Sequence, residues 1–400
     1  MADMSSHAFA GLPASRPEEI GLSRAALKRL TAAMEREIAA GHTPGASMLI
    51  ARHGKVGFVQ TLGLLRPDGP PMPDDAIFRI YSMTKPIVTV AAMTLVEDGR
   101  LLVTDPLAKY IPAFAEVKVG VEAGDTFELV PPKRPITIQD LMRHTSGLTY
   151  GFTGNSQVQR QVFAADLMSQ ERTMAEHVAA LAALPLRFQP GEVWEYGHST
   201  DVLGRVVEIV AGAPLGEVLR ERIFAPLGMD DTAFFTPESK LGRRAEPHSI
   251  ETLRKVRIDV VGSTAPPRCE AGGTGLLSTI GDYARFVAML SNGGALEGAR
   301  ILGPRTIAYM ASDHLAPGVV KTHPLLWPGH GFGLGFCVRT DAGLAPSAGS
   351  IGEFFWGGVA GTAFWISPRD ALFAILMIQA PEYREYFRVL FRNLVNAAIV

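Results

Sequence analysis

A hydroxyl and an amine stand three residues apart at Ser82 and Lys85, in the stretch YSMTKP that runs from Tyr81 to Pro86. No other serine of the chain has a lysine three residues downstream. At the start of a helix this spacing puts both side chains on one face, one turn apart. A serine hydroxyl is a poor nucleophile and needs a base. Lysine serves as that base when burial or neighbouring positive charge lowers its pKa. The run that follows, IVTVAAMTLV, is apolar nearly all round, which is the pattern of a helix buried on most faces. The helix N-terminus also favours an anion developing at the serine. The same residues read equally as an ordinary helix start, with Ser82 as cap and Lys85 in solvent. The rest of the chain has to decide.

Two further stretches bear on it. In WEYGHSTDVLG, Tyr196 follows a Pro-Gly turn and precedes a helical pattern. It is either a tyrosine packing its loop or one that shares a proton with Lys85, so that one of the two deprotonates Ser82. In EFFWGGVAGTAFWIS, two glycines open a bulky strand. Glycine there marks a bulge or a close approach by a ligand, and a backbone N–H on such an edge can face a substrate oxyanion.

S-x-x-K, then a Tyr motif, then a Gly-rich strand near the C-terminus is the order found in serine β-lactamases and penicillin-binding proteins. The chain resembles the class C β-lactamase fold group, and more closely the family VIII carboxylesterases within it. LMRHTSGLTY, FAPLGMDDTAFF and GGTGLLSTIGDYARF are typical of the group, and the resemblance runs from about residue 15 to about 380. It implies Ser82 as the acyl-forming nucleophile, and Lys85 with Tyr196 as general base and then proton donor to the leaving alcohol. It also implies an oxyanion hole from the N–H groups of Ser82 and Val359. Trp356, Gly357 and Gly358 take the place of K-T-G, and Tyr150 lies near the site. Trp356 replaces a lysine that binds the substrate carboxylate, which an indole cannot do. A neutral ester therefore suits this site better than a penicillin. His198 stands where lactamases keep Asn, with an imidazole that can still donate or accept a hydrogen bond; it either lines the site or does not.

Several elements must position these groups. GLSRAALKRLTAAMEREIAAGHTPG reads as a helix capped by Ser23 and stopped at Gly41, and a hairpin turns at His53-Gly54. Residues 100 to 300 are mostly helical pattern broken by Pro and Gly, and Thr279 with Asp282 has the spacing of a capping box. GFGLGFCVRT, GTAFWIS and ALFAILMIQ read as strands, and EYREYFRVLFRNLVNAAIV as a closing helix. The expected fold class is α+β: an antiparallel sheet built from both chain ends and flanked by helices, plus a mostly helical middle lobe. The expected domains are 1–85 with 295–400 as the α/β unit and 86–294 as the helical unit, with the active site in the cleft between them. The segment from Ser312 to Gly333 is rich in Pro and Gly and carries Leu325, Leu326 and Trp327, so it is expected to border the alcohol-side pocket.

Other chemistries find little support. No G-x-S-x-G elbow exists; GHSTD, Gly197 to Asp201, ends in Asp. No H-E-x-x-H occurs and the ten histidines show no ligand spacing, so neither a metal nor an organic cofactor is expected. His144, at a helix end, is expected to hold its loop. A net charge of −2 without charged blocks gives no reason to expect nucleic acid or an anionic membrane as partner. Cys269 and Cys337 lie far apart and read as packed thiols. With no signal sequence or 18-residue apolar run visible, a cytoplasmic location is expected. The expectation is a serine carboxylesterase acting on small, short-chain esters, or an acyltransferase, weak β-lactamase or aminopeptidase-like hydrolase of the same fold.

Overall fold

The two ends of the chain meet in one sheet. The computed structural model describes residues 9–123, 126–167, 171–258, 262–321 and 323–400. Gly45–Arg52 (β1) and Lys55–Gly63 (β2) form the hairpin, with φ of 52° at His53 and 72° at Gly54, as a two-residue turn of this kind needs. The later strands are His330–Phe332 (β3), Cys337–Arg339 (β4), Phe354–Gly357 (β5), Ala363–Ser367 (β6) and Leu372–Ile378 (β7). They complete a seven-stranded sheet in the order β2-β1-β7-β6-β5-β4-β3, antiparallel throughout, in which Arg52 pairs with Leu372. The fold class is thus α+β, with the sheet drawn from both ends. GFGLGFCVRT is two strands rather than one. Gly335, at φ 83°, turns the chain so that Cys337 pairs back with Phe332.

The helices that frame the site are Arg24–Ala39 (α1), Thr84–Glu97 (α2), Ser199–Ala211 (α3), Ile280–Ser291 (α4) and Arg384–Asn396 (α5). Met48, Ile50 and Leu376 pack on one face of the sheet against Leu30 and Met34 of α1 and Phe387 and Phe391 of α5. Leu49, Ile375 and Met377, one residue out of step, pack on the other face with Phe286 and Val287 of α4. Because both faces are covered, β7 is buried at every position, and the polar alternation of a half-solvated sheet is missing. α4 lies within the 86–294 segment yet packs on the sheet, against β1, β6 and β7.

Ser23 accepts from the Ala26 N–H at 3.3 Å and starts α1. α2 is buried from Thr84 through Leu95 and packs against α3. The capping box at α4 is half formed. Thr279 Oγ1 accepts from the Asp282 N–H at 3.1 Å, but the Asp282 carboxylate instead accepts from Asp231 N–H and Thr232 Oγ1, each at 2.8 Å. A second hairpin, Val119–Ala123 with Thr126–Val130, was not expected within the helical stretch. Its signal is the short alternation around EAGDTF. Among the described residues, no helix is long and apolar enough to cross a membrane.

Candidate active site

The short strand Ile77–Arg79 runs into a single 3₁₀ turn, Tyr81–Met83, and then into α2. Tyr81 has φ 44°, a strained conformation for a bulky residue, and it sharpens the bend that presents Ser82 to the cleft. Lys85 lies one turn further on and is 1% exposed. Its Nζ donates to Ser82 Oγ at 3.2 Å, to the Tyr150 hydroxyl at 3.2 Å and to the Gly273 carbonyl at 2.8 Å. The Tyr196 ring covers Nζ, with its centroid 4.6 Å away.

Each acceptor is held from behind. Tyr150 follows the loop after Ile138–Met142, and buried Asp140 pins that loop. Its carboxylate takes Arg134 Nη1 and Nη2 at 2.5 and 2.9 Å, Arg143 Nη2 at 3.0 Å and Thr145 Oγ1 at 2.8 Å. Burial works to raise the Asp140 pKa, but these donors, Arg134 foremost, hold it at about 2. Gly273 gives its N–H to Asp201 Oδ1 at 2.8 Å. Asp201 Oδ2 pairs with His198 Nδ1 at 2.9 Å. Burial raises Asp201 too, yet the bond and charge of His198, then His177 and Lys85, outweigh it and hold its pKa at about 2. Burial, with Asp201 and Tyr196 nearby, pushes the Tyr150 pKa well above the usual phenol value, so Tyr150 keeps its proton.

His198 does not reach the cleft wall. It caps α3 from behind Tyr150, with ring centroids 4.5 Å apart, and is 1% exposed. His144 packs against the Tyr196 ring at 4.8 Å and supports the loop. Burial, then the Lys85 charge, holds its pKa well below the usual histidine value. His177, His198 and Asp201 bring potential metal-ligand atoms within 4.8 Å of one another. Both Asp201 oxygens take part in hydrogen bonds, with His198 Nδ1 and the Gly273 N–H, whereas the two ring nitrogens of buried His177 meet no hydrogen-bond partner among the described residues. Cys269 and Cys337 are free and buried.

Tyr196 bonds to the neighbouring strand rather than to Ser82. Trp356 Nε1–H donates to its hydroxyl at 3.4 Å. Beyond Trp356 the two glycines allow two close approaches. A Cβ on Gly358 would lie 2.4 Å from the Ile80 carbonyl, so only glycine lets this edge lie against the segment leading to Ser82. A Cβ on Gly357 would lie 2.6 Å from Arg388 Nη2. The protein's own Ile80 and Arg388 make these close approaches, and Gly357 also lines the cleft. Ser82 and Val359 line the same cleft, and the Val359 N–H meets no acceptor among the described residues. The cleft, of ≈ 150 Å³, has apolar walls at Phe152, Leu325, Trp327 and Phe355 and is also lined by Arg384, Glu385, Arg388 and Arg392 of α5, so part of the Ser312–Gly333 segment borders it. Thr322 of that segment lies outside the described residues. Asp201, Gly273 and Arg388 were not singled out from the sequence. GHSTD drew attention only as an incomplete elbow, and nothing near Arg388 in the chain points to a strand some thirty residues away.

Comparison with known proteins agrees with this geometry. The beta-lactamase family profile matches residues 30–399. Protein Rv1367c of Mycobacterium tuberculosis is 37% identical over 352 residues, 85% of this chain and 86% of the relative. Esterase EstB of Burkholderia gladioli is 30% identical over 385 residues, 90% of this chain and 92% of the relative. Among solved structures, EstCE1, described as a hydrolase with promiscuous acyltransferase activity, superposes with a TM-score of 0.77 at 27% identity, covering 93% of this chain and 98% of its own.

Proposed function

The chain belongs to the beta-lactamase family, and from that premise we propose that it is a serine carboxylesterase of the family VIII kind, acting on small neutral esters through an acyl-enzyme on Ser82. The observation that carries this reading is the bond from Lys85 Nζ to Ser82 Oγ, with Ser82 lining a cleft that has apolar walls. Ser82 Oγ attacks the ester carbonyl, and its proton passes to the Lys85/Tyr196 pair. The N–H groups of Ser82 and Val359 receive the oxyanion. The proton then goes to the leaving alcohol, and water attacks the acyl-enzyme by the same route in reverse. Tyr150 keeps its proton and serves Lys85 as an acceptor. Trp356 leaves no cation at the lysine position, and its N–H supports charge developing on the Tyr196 oxygen. Under the same reading, 1–85 with 295–400 and 86–294 form the two units that flank the cleft, save that α4 of the second segment packs on the sheet of the first.

Incubation with a fluorophosphonate followed by intact-mass measurement is expected to add one adduct, lost in Ser82→Ala. With p-nitrophenyl butyrate, Ser82→Ala is expected to lose on the order of 10⁶-fold in kcat. A variant retaining a tenth of the activity would falsify the mechanism. Nitrocefin turnover should be slow or absent, and turnover comparable with that of esters would contradict the reading of Trp356. EstCE1 favours a second reading, transfer of the acyl group to an alcohol rather than to water. Product analysis with an added alcohol acceptor separates the two.

A further inference from the structure

Arg388, on the second turn of α5, reaches under the Gly357–Gly358 strand end. Its Nη2 donates to the Gly358 carbonyl, which also accepts from the Gly361 N–H at 3.0 Å. Its Nη1 donates to Glu385 Oε1 at 2.9 Å, while Nε has no partner among the described residues. The side chain is 19% exposed. Gly357 makes room for it, since a Cβ there would meet Nη2, Cζ and Nε at 2.6 to 2.8 Å. The strand end has therefore given up a side chain where a cation passes.

The Gly358 carbonyl and the Val359 N–H are the two ends of one conjugated peptide group. A charged donor on the oxygen draws electron density from the nitrogen and makes its N–H a stronger donor, an effect enhanced where water is scarce. We propose that Arg388 is a positioning residue for the oxyanion: it fixes and polarises the Gly358–Val359 peptide so that the Val359 N–H binds the tetrahedral intermediate more tightly than the ester. This rests on the acyl-enzyme reading above. It assigns to Arg388 an effect on the transition state and none on ester binding.

The test compares wild type with Arg388→Lys, Arg388→Gln and Arg388→Met. The readouts are kcat and KM for p-nitrophenyl butyrate, and Ki for a trifluoromethyl ketone, whose adduct with a serine carries the oxyanion. Outright loss of an oxyanion donor costs about 10²–10³-fold, so Arg388→Met is expected to lower kcat by about 10–100-fold. KM should stay within about twofold, and Ki should rise in step with the fall in kcat/KM. Arg388→Lys, which keeps a charged donor, should fall between Arg388→Met and wild type. Gly357→Ala displaces the guanidinium without removing its charge and should give the same pattern, so the test survives if Arg388→Met does not fold. An unchanged kcat in these variants overturns the proposal. So does a loss that appears as raised KM with Ki/KM constant, because Arg388 would then anchor substrate. Ser82→Ala keeps the two readings apart. Activity retained there removes the acyl-enzyme itself, whereas an inert Ser82→Ala beside an undiminished Arg388→Met removes only the role of Arg388.

Discussion

Two tyrosines face Lys85, and their surroundings give them different work. Tyr150 accepts a bond from Lys85 in a fully buried setting that keeps its proton in place. Tyr196 lies over the Lys85 nitrogen and takes a donor from Trp356 on its oxygen. Tyr196→Phe is therefore expected to lower kcat by at least ~10²-fold, the scale of lost general-base assistance. Tyr150→Phe removes one of three acceptors and should cost only about tenfold, on the scale of a single hydrogen bond. Equal losses in the two variants, measured on one short-chain ester, would contradict this division. Sequence spacing put Ser82 and Lys85 one helical turn apart but left them as either a capped helix start or a nucleophile with its base, and the order of motifs was needed to choose. Tyr196 and Val359 needed the order of motifs as well. Asp201 and Arg388 act through contacts that leave no local period, so no window of sequence displays them.

At the scale of the elements, turns and caps were legible and shared partners were not. The His53-Gly54 turn and the Ser23 cap depend on nearby residues and formed as their spacing implies. The capping box at α4 failed because Asp231 and Thr232, from a distant loop, compete for the Asp282 carboxylate. That competition has a measurable cost. Burial, then the negative charges of Asp231 and Asp230, raises the Asp282 pKa to about 6 against the bonds from Thr232 and Asp231. A carboxyl with a raised folded pKa favours folding while protonated and opposes it as pH climbs past the unfolded value toward 6. Asp282→Asn is thus expected to gain in Tm relative to wild type at pH 7.5, and the gain should shrink toward pH 4. A difference in Tm that does not vary with pH would show that Asp282 is not buried as a charge.

For the whole molecule the opposite sign governs acid stability. Asp140 and Asp201 have folded pKa values of about 2, below the ordinary 3.8. Each contributes about 2 kcal/mol that is complete above the unfolded value and disappears as pH falls through 4 toward 2. His177 adds to the decline earlier. Burial, then His198, holds it at about 4, so the unfolded chain gains a proton first as pH drops below 6.5. Between about pH 6 and 4 the loss at His177 is opposed by the gain at Asp282, so urea midpoints are expected to fall most steeply between 4 and 2, with a flatter acid limb in Asp140→Asn. A midpoint constant from pH 6 to 3 would rule this out. The sheet that joins both ends of the chain also fixes when function can begin. β1 is made early but waits for β7, roughly three hundred residues later, before its free edge is covered. Ser82 and Lys85 leave the ribosome long before Val359 and Arg388. A growing chain thus carries its nucleophile without the pocket that empowers it, and must keep an apolar strand edge from other chains until β7 has been made.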